Sequence, residues 1–432
     1  MSAAGAGQAR AERAQYAVAA DFFVVGLVLS AWFTQIPQFK ARLALGDGIL
    51  GVALLCPAAG ALISMQAAGR LARRYGSAPL LRIASAALGV TMVAVGAAPG
   101  FAAFAVALVI FGLADGMCDV PMNAHAVAVE AALGRPILQR MHAAFSLGAL
   151  AGAGSGALAV WAGFTPLGYL AGVAAVAVLI ALAAGPRLLP GAQDRAPAAA
   201  RPRQPGQRAR NRVGWSRFVI VLGLLGAGCL MAEGAAQNWA AVFLRDQRHA
   251  APALASAAFL VFTIVQLGGR LAGDRLHQYL GPVRLVQAGA AVAAAGLCLE
   301  LLAPTPAAAI CGVAVYSLGL SVLVPIIFGA VGHGSAERHD SASVTEAVAR
   351  FTTVSYLGYL LGPAVIGWLA EVVGLTWALS SVFLVLAAVF ACAGLAASAR
   401  PGREDATAAA GTPAGQVPAG GPGPVPGEAA AS

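Results

Sequence analysis

Charge is the scarcest feature of this 432-residue chain: Asp, Glu, Lys and Arg together make up 10% of it, and the acids number 18. Soluble domains carry about 25% charged residues, so the composition excludes an ordinary soluble fold. The six cysteines, at 56, 118, 229, 298, 311 and 392, stand singly in apolar segments. Without CxxC or Cys/His ligand spacing, neither a zinc site nor a disulfide framework is indicated, and they read as small packing residues. The chain also lacks a GxSxG elbow, a P-loop and an HExxH pair. These absences remove the common hydrolase chemistries and direct drive by ATP. No enzyme activity, cofactor or metal is expected.

Apolar residues are what the chain has in excess, at 59%, together with 53 glycines. Small residues in such number let helix backbones approach closely inside a membrane. The apolar runs predict spans near 16–38, 48–68, 79–98, 101–128, 141–162 and 164–186, then near 216–241, 253–271, 283–303, 306–331, 343–367 and 372–398. The expected fold is an all-α polytopic membrane protein with twelve transmembrane helices in two six-helix bundles, 16–186 and 216–398. A tail (1–15), a Pro- and Arg-rich linker (187–215) and an Ala/Gly/Pro-rich tail (399–432) complete the chain. With these loops, Lys40, Arg42, Arg245 and Arg248 are the four of the 27 basic residues on one side. That asymmetry is the positive-inside pattern. It explains the net charge of +9 without nucleic acid and predicts cytoplasmic termini.

The stretch at 111–130, FGLADGMCDVPMNAHAVAVE, organises the rest. It closes an apolar run long enough to cross a bilayer, yet it holds Asp115, Asp119, Asn123, His125 and Glu130. At about 100° per residue, positions 115, 119, 123 and 130 share an arc of roughly 80°. An acid at membrane depth costs about 2.5–3.5 kcal/mol or more unless it faces a polar interior. The stripe therefore lines a wet cavity inside a bundle. Asp115 and Asp119, spaced i,i+4, would not readily both ionise in a low dielectric, which suits a group that gains and loses protons. A purely structural bond across a helix interface is the alternative.

The two halves echo each other. GRLARRYG at 69–76 follows the second span, and GRLAGDR at 269–275 follows the eighth. Each reads as a tight basic turn at the same place in its half, as parallel duplication would leave it. These turns resemble the GxxxD(R/K)xGxx(R/K) signature of the major facilitator superfamily, with Arg73 where the signature has its acid and Asp274 at altered spacing. The resemblance covers about 16–398. Within that superfamily the chain resembles the fucose permease-like sugar–proton symporters. GMCDVPMN at 116–123 is similar to their fourth-helix GCLETAAN, which places Asp119 on the proton-carrying carboxylate. HAAFSLG at 142–148, MAE at 231–233 with Trp239 and FL at 243–244, and IPQF at 36–39 are similar to other stretches of that group. Phe33 stands where it carries a further acid, so a two-carboxylate scheme does not transfer and fucose is not implied.

The remaining candidates follow from position. Glu233, Gln237 and Asn238 in the seventh span would meet the polar face of the fourth, with Trp239 as an interface or packing aromatic. Gln35 and Gln38 on the first span, and Tyr316, Tyr356 and Tyr359 on the tenth and eleventh, supply groups that bind solute hydroxyls or merely pack. Gating is expected of Gly69, Arg73, Arg74 and Gly76, of Arg270 and Asp274, and of a Glu130–His142 or Glu130–Arg contact across a short turn. The Glu346/Arg350 pair, spaced i,i+4 in the favoured order, belongs with them. Asp21 reads as an acid stabilised at a helix N-terminus, and His125 as a satisfied packing histidine. Taken together these residues predict a proton-coupled secondary transporter of a small polar solute, acting as a monomer in a bacterial inner membrane with solute, protons and the lipid bilayer as partners. A proton-driven exporter of amphipathic compounds and a non-transporting receptor are the competing readings.

Overall fold

The computed structural model describes residues 3–135, 137–190, 217–336 and 341–399. Most of the 187–215 linker and the tail from 400 onward lie outside the described residues, as do the side chains of Arg73, Asp274 and Glu346. The described chain is helical: α1 (Ala3–Arg42), α2 (Asp47–Tyr75), α3 (Ser77–Ala97), α4 (Phe101–Leu133), α5 (Leu138–Trp161) and α6 (Pro166–Ala184) form the first half. The second half comprises α7 (Arg217–Arg248), α8 (Pro252–Leu302), α9 (Pro306–Leu320), α10 (Leu323–Ala336), α11 (Ser341–Val373), α12 (Leu375–Ser380) and α13 (Val382–Ala391).

Among the described residues, 11 spans are long and apolar enough to cross a membrane, and Leu375–Ala391 is a shorter apolar segment. Helix α8 contributes two of the 11, Pro252–Gly273 and Arg275–Leu302, and its helical geometry breaks at Gly281 (φ 71°). The tenth and twelfth spans are each interrupted once. At both breaks a serine hydroxyl bonds the carbonyl three residues back, Ser321 to Leu318 and Ser381 to Ala378 (both 2.6 Å), a local bond that competes with the helix ladder. Two spans begin alike: Thr165 caps α6 ahead of Pro166, and Thr305 caps α9 ahead of Pro306.

The two basic segments expected as turns are helical instead. Helix α2 runs through 69–75 and turns at Gly76 (φ 89°), and α8 continues past 275 to Gly281. One left-handed glycine makes each corner, a conformation that a side chain would strain. Arg70 and Arg74 thus sit near the end of α2, and Arg270 about three turns before Gly281.

Helix pairing repeats between the halves. In the first half α1 packs on α5 and α2 on α4; in the second α7 packs on α11 and α8 on α9. Glycine sets these approaches. A Cβ on Gly148 would lie 2.0 Å from the Phe23 carbonyl oxygen, and one on Gly358 would lie 1.9 Å from that of Ala227. Between the halves, α2 meets α11 and α5 meets α8. Exchanging first-half and second-half partners maps one contact onto the other, as a parallel repeat requires.

Candidate functional site

Depth along the helices brings the acids together. Asp115 lies 14 residues from the start of α4, about 21 Å at 1.5 Å per residue, and Glu233 lies 15 residues from the end of α7, about 22 Å. Both helix ends are at the face of the bundle that also holds the C-terminus of α1, where Arg42 bonds the Gly96 and Ala98 carbonyls near the start of α4. The Tyr359 phenol lies within electrostatic range of both Asp115 and Glu233, and the Tyr356 phenol within range of both Asp119 and Glu233. The α4 stripe of the first half therefore faces α7 and α11 of the second.

On the α4 side, Asn123 donates from Nδ2 to the Asp119 carbonyl (2.9 Å) and to Asp119 Oδ1 (3.1 Å). The i,i+4 spacing that defines the stripe also lets the amide hold its neighbour's carboxylate. His142 on α5 is in electrostatic contact with Asp119, its ring edge-on to Phe22 at 5.5 Å. On the opposite side Glu233 is buried and accepts from Gln237 Nε2 and from the Arg270 guanidinium, each at 3.3 Å. Tyr359 donates to Gln237 Oε1 (3.1 Å). The result is a chain from Arg270 through Glu233 and Gln237 to Tyr359. Arg270, placed by sequence among the gate residues, thus reaches the mid-depth acid. Its side chain keeps 48% exposure and Tyr356 keeps 58%.

The Arg42 end is closed. Lys40 sits between Asp47 (2.5 Å) and Asp246 of the other half. Arg245 donates to the Pro37 carbonyl (2.7 Å) and to Gln38 (3.0 Å). The Glu371 carboxylate accepts from the Gly48 N–H (2.9 Å), and Ser256 bonds the Thr34 carbonyl (3.1 Å). Phe33, in the place of the expected acid, stacks tilted against Phe259 at 5.1 Å. Sequence reasoning assigned no role to Asp47, Asp246 and Glu371, although Lys40 and Arg245 stood out as rare basic residues on their side.

A sequence model of the Major Facilitator Superfamily matches residues 140–345. An uncharacterised MFS-type transporter of Yersinia pestis is 34% identical over 374 residues, covering 86% of this chain and 93% of that protein. The membrane protein MosC of Rhizobium meliloti is 31% identical over 388 residues, covering 87% and 88%. The chain belongs to the major facilitator superfamily. Its fold is shared with the nucleoside transporter NupG (TM-score 0.68, 16% identity, 89% of this chain and 98% of that one). It is shared equally with a D-xylose–proton symporter (TM-score 0.69, 13% identity, 89% and 96%). This superfamily member is a multi-pass membrane transporter, not an enzyme.

Several residues of the transporter stand away from the mid-depth cluster. Tyr316 is buried and donates to the Ala232 carbonyl (2.9 Å), tying α9 to α7. Asn238 bonds the Gly234 carbonyl (2.8 Å), Trp239 bonds that of Pro363 (3.2 Å), and Gln35 reaches Thr34 (3.4 Å). Gln38 belongs to the closed end. The expected Glu130–His142 contact is replaced: Glu130 Oε2 accepts from the N–H groups of Ile137 (2.7 Å) and Leu138 (3.2 Å), capping the start of α5. His142 lies within electrostatic range of Asp119 instead, and Arg135 donates to Gln15 (2.8 Å). Arg74 lies over the Tyr75 ring at 5.2 Å. His125 is buried, with Ser77 at Nδ1 (2.8 Å) and the Leu189 N–H on Nε2 (3.1 Å), a satisfied packing histidine. Asp21 is not at a helix start, because α1 begins at Ala3. It and Glu300, each 2% exposed, are buried acids outside the cluster. The lone acid in the apolar run LCLELLA at 297–303 was the signal for Glu300.

Proposed function

We propose that this transporter moves a small polar solute, sugar-like in its hydroxyl groups, together with protons by alternating access of the two halves. The observation that carries the reading is the meeting at one depth of the Asp115/Asp119 stripe with the Glu233–Gln237–Tyr359 chain. Asp119 is the proton carrier, and Asn123 holds its carboxylate while the charge comes and goes. Asp115, one turn away, disfavours a second negative charge nearby. Gln237, Tyr359 and Tyr356 offer donors and acceptors to solute hydroxyls, and Arg270 keeps Glu233 compensated. The D-xylose–proton symporter that shares the fold supports this solute class.

In this reading the bundles 16–186 and 216–398 rock about the mid-depth site. The closed Arg42 end is the outer gate, and both termini are cytoplasmic in a bacterial inner membrane. The helix ends around Gly69, Arg73, Arg74, Gly76, Asp274, Glu346 and Arg350 form the inner gate, and the unit is a monomer.

The test is external pH in energy-starved cells during addition of sugars and polyols, with wild type and Asp119→Asn side by side. Solute-driven alkalinisation that the substitution abolishes supports symport. Equal signals in both, or none in wild type across the panel, would overturn it.

A further inference from the structure

Asp21 stands apart from the α4 acids and has no part in the transport scheme above. It lies mid-helix in α1 and is 2% exposed. Its Oδ1 accepts from the Ser85 hydroxyl of α3 (2.7 Å), while Oδ2 is buried and has no hydrogen-bond partner among the described residues. Ser85 in turn lies 3.4 Å from Cys118 Sγ of α4.

Among the described residues, the groups on the surrounding helices do not supply a countercharge. On α3, Arg82 is one turn from Ser85, but its Nε donates to the Gly185 carbonyl (2.7 Å). On α4, Cys118 is in electrostatic contact with Asp21, Asp115 and Asp119, so the neighbouring titratable groups are themselves acids or a thiol. His125 of the same helix is held by Ser77 and Leu189. On α5, His142 packs edge-on against the Phe22 ring and lies within electrostatic range of Asp119. On α6, Tyr169 bonds the Gly152 carbonyl (2.9 Å). From the second half, Arg245 of α7 and Ser256 of α8 meet α1 at Pro37, Gln38 and Thr34, well over two turns away.

A carboxylate with one bare oxygen in an apolar interior is among the costliest groups to bury, and neutralisation relieves that cost. We propose that Asp21 is a proton-binding site separate from the α4 pair, holding its proton on Oδ2 and serving as a neutral acid that joins α1 to α3. Because α1, α3 and α4 belong to one half, this proton travels with the half rather than crossing between halves. The site does not depend on the solute-symport reading.

The test is infrared spectroscopy of the purified full-length protein near neutral pH, in the region of the protonated carboxyl C=O stretch. Asp21→Asn is expected to remove one component that Asp119→Asn leaves in place. Ser85→Ala keeps the acid and is expected to shift the same component, since the bond to Oδ1 is lost. It decides the matter should Asp21→Asn fail to fold. An unchanged carboxylic-acid region in Asp21→Asn, with loss from the carboxylate bands instead, or no shift in Ser85→Ala, would overturn the proposal.

Discussion

Asp246→Asn is the cleanest perturbation of the closed end, because Lys40 bridges one acid of its own half and one of the other. The substitution removes the inter-half arm and leaves Lys40 neutralised by Asp47 at 2.5 Å. The side chains of Lys40 and Asp246 are 14% and 31% exposed. Exposed pairs contribute about 0.2–1 kcal/mol and breaking a buried pair costs about 3–5 kcal/mol. Partial exposure and the surviving Asp47 contact place this arm near the low end, at about 1 kcal/mol. That corresponds to roughly a fivefold shift away from the closed arrangement. Spin labels at Ile49 and Gln247, both exposed at this end, in a background with the six native cysteines replaced, would read the separation by pulsed dipolar spectroscopy. The longer-distance population should grow about fivefold, and high salt should mimic part of the effect in wild type. An unchanged distance distribution in Asp246→Asn would refute the assignment of this ion pair as an inter-half latch.

Gly358→Ala places a Cβ 1.9 Å from the Ala227 oxygen and should cost about 1–3 kcal/mol by overpacking α7 on α11. Gly154→Ala, which meets nothing within 4 Å, should leave the thermal midpoint unmoved in the same melt. Tyr316→Phe removes a second bond to the Ala232 carbonyl, which the α7 ladder still satisfies, and should lower stability by about 0.5–1.5 kcal/mol, with the solute KM unaltered. A raised KM at unchanged stability would put Tyr316 back among the solute ligands. Arg270→Ala strands the buried Glu233, but the half-exposed guanidinium limits the stability cost to about 1 kcal/mol. Transport should fall more than stability does, and restoration by Arg270→Lys would show that charge rather than the planar fork is what Glu233 needs.

The membrane class, the helix count and the acid stripe of α4 were legible because each rests on a local quantity: apolar run length, or angular spacing on one helix. Asp115, Asp119 and Asn123 share a face by arithmetic alone, and the Asp119–Asn123 bond follows from the same spacing. Partners across helices were not legible in that way. Glu130 and His142 are adjacent in loop terms, yet the carboxylate caps two N–H groups at the start of α5 and the imidazole packs on Phe22 of α1. Arg270 reads as part of a turn until the helix is seen to continue to Gly281, which swings the guanidinium back to Glu233. Asp21 reads as a helix-start acid until α1 is seen to begin 18 residues earlier.

The internal repeat has a consequence for how the halves can move. The α2–α11 and α5–α8 contacts exchange under the repeat, so any rocking that opens one end loads both seams alike. At the Arg42 end the α2–α11 seam is tight: a Cβ on Gly51 would meet Gly367 at 3.1 Å, and one on Gly367 would meet the Asp47 carbonyl at 2.7 Å. Glycine on both sides lets the backbones touch without interlocking side chains, and the carboxylate of Glu371 on the Gly48 N–H adds a bond that releases without breaking any helix hydrogen bond. A seam made of flat backbone contact plus a few charged bonds can separate at small energetic cost. The Pro57–Gly112 approach inside the first half, where a Cβ would lie 1.8 Å from the Pro57 oxygen, cannot accept a side chain. Rigid halves with a releasable seam are what alternation between two closed ends requires.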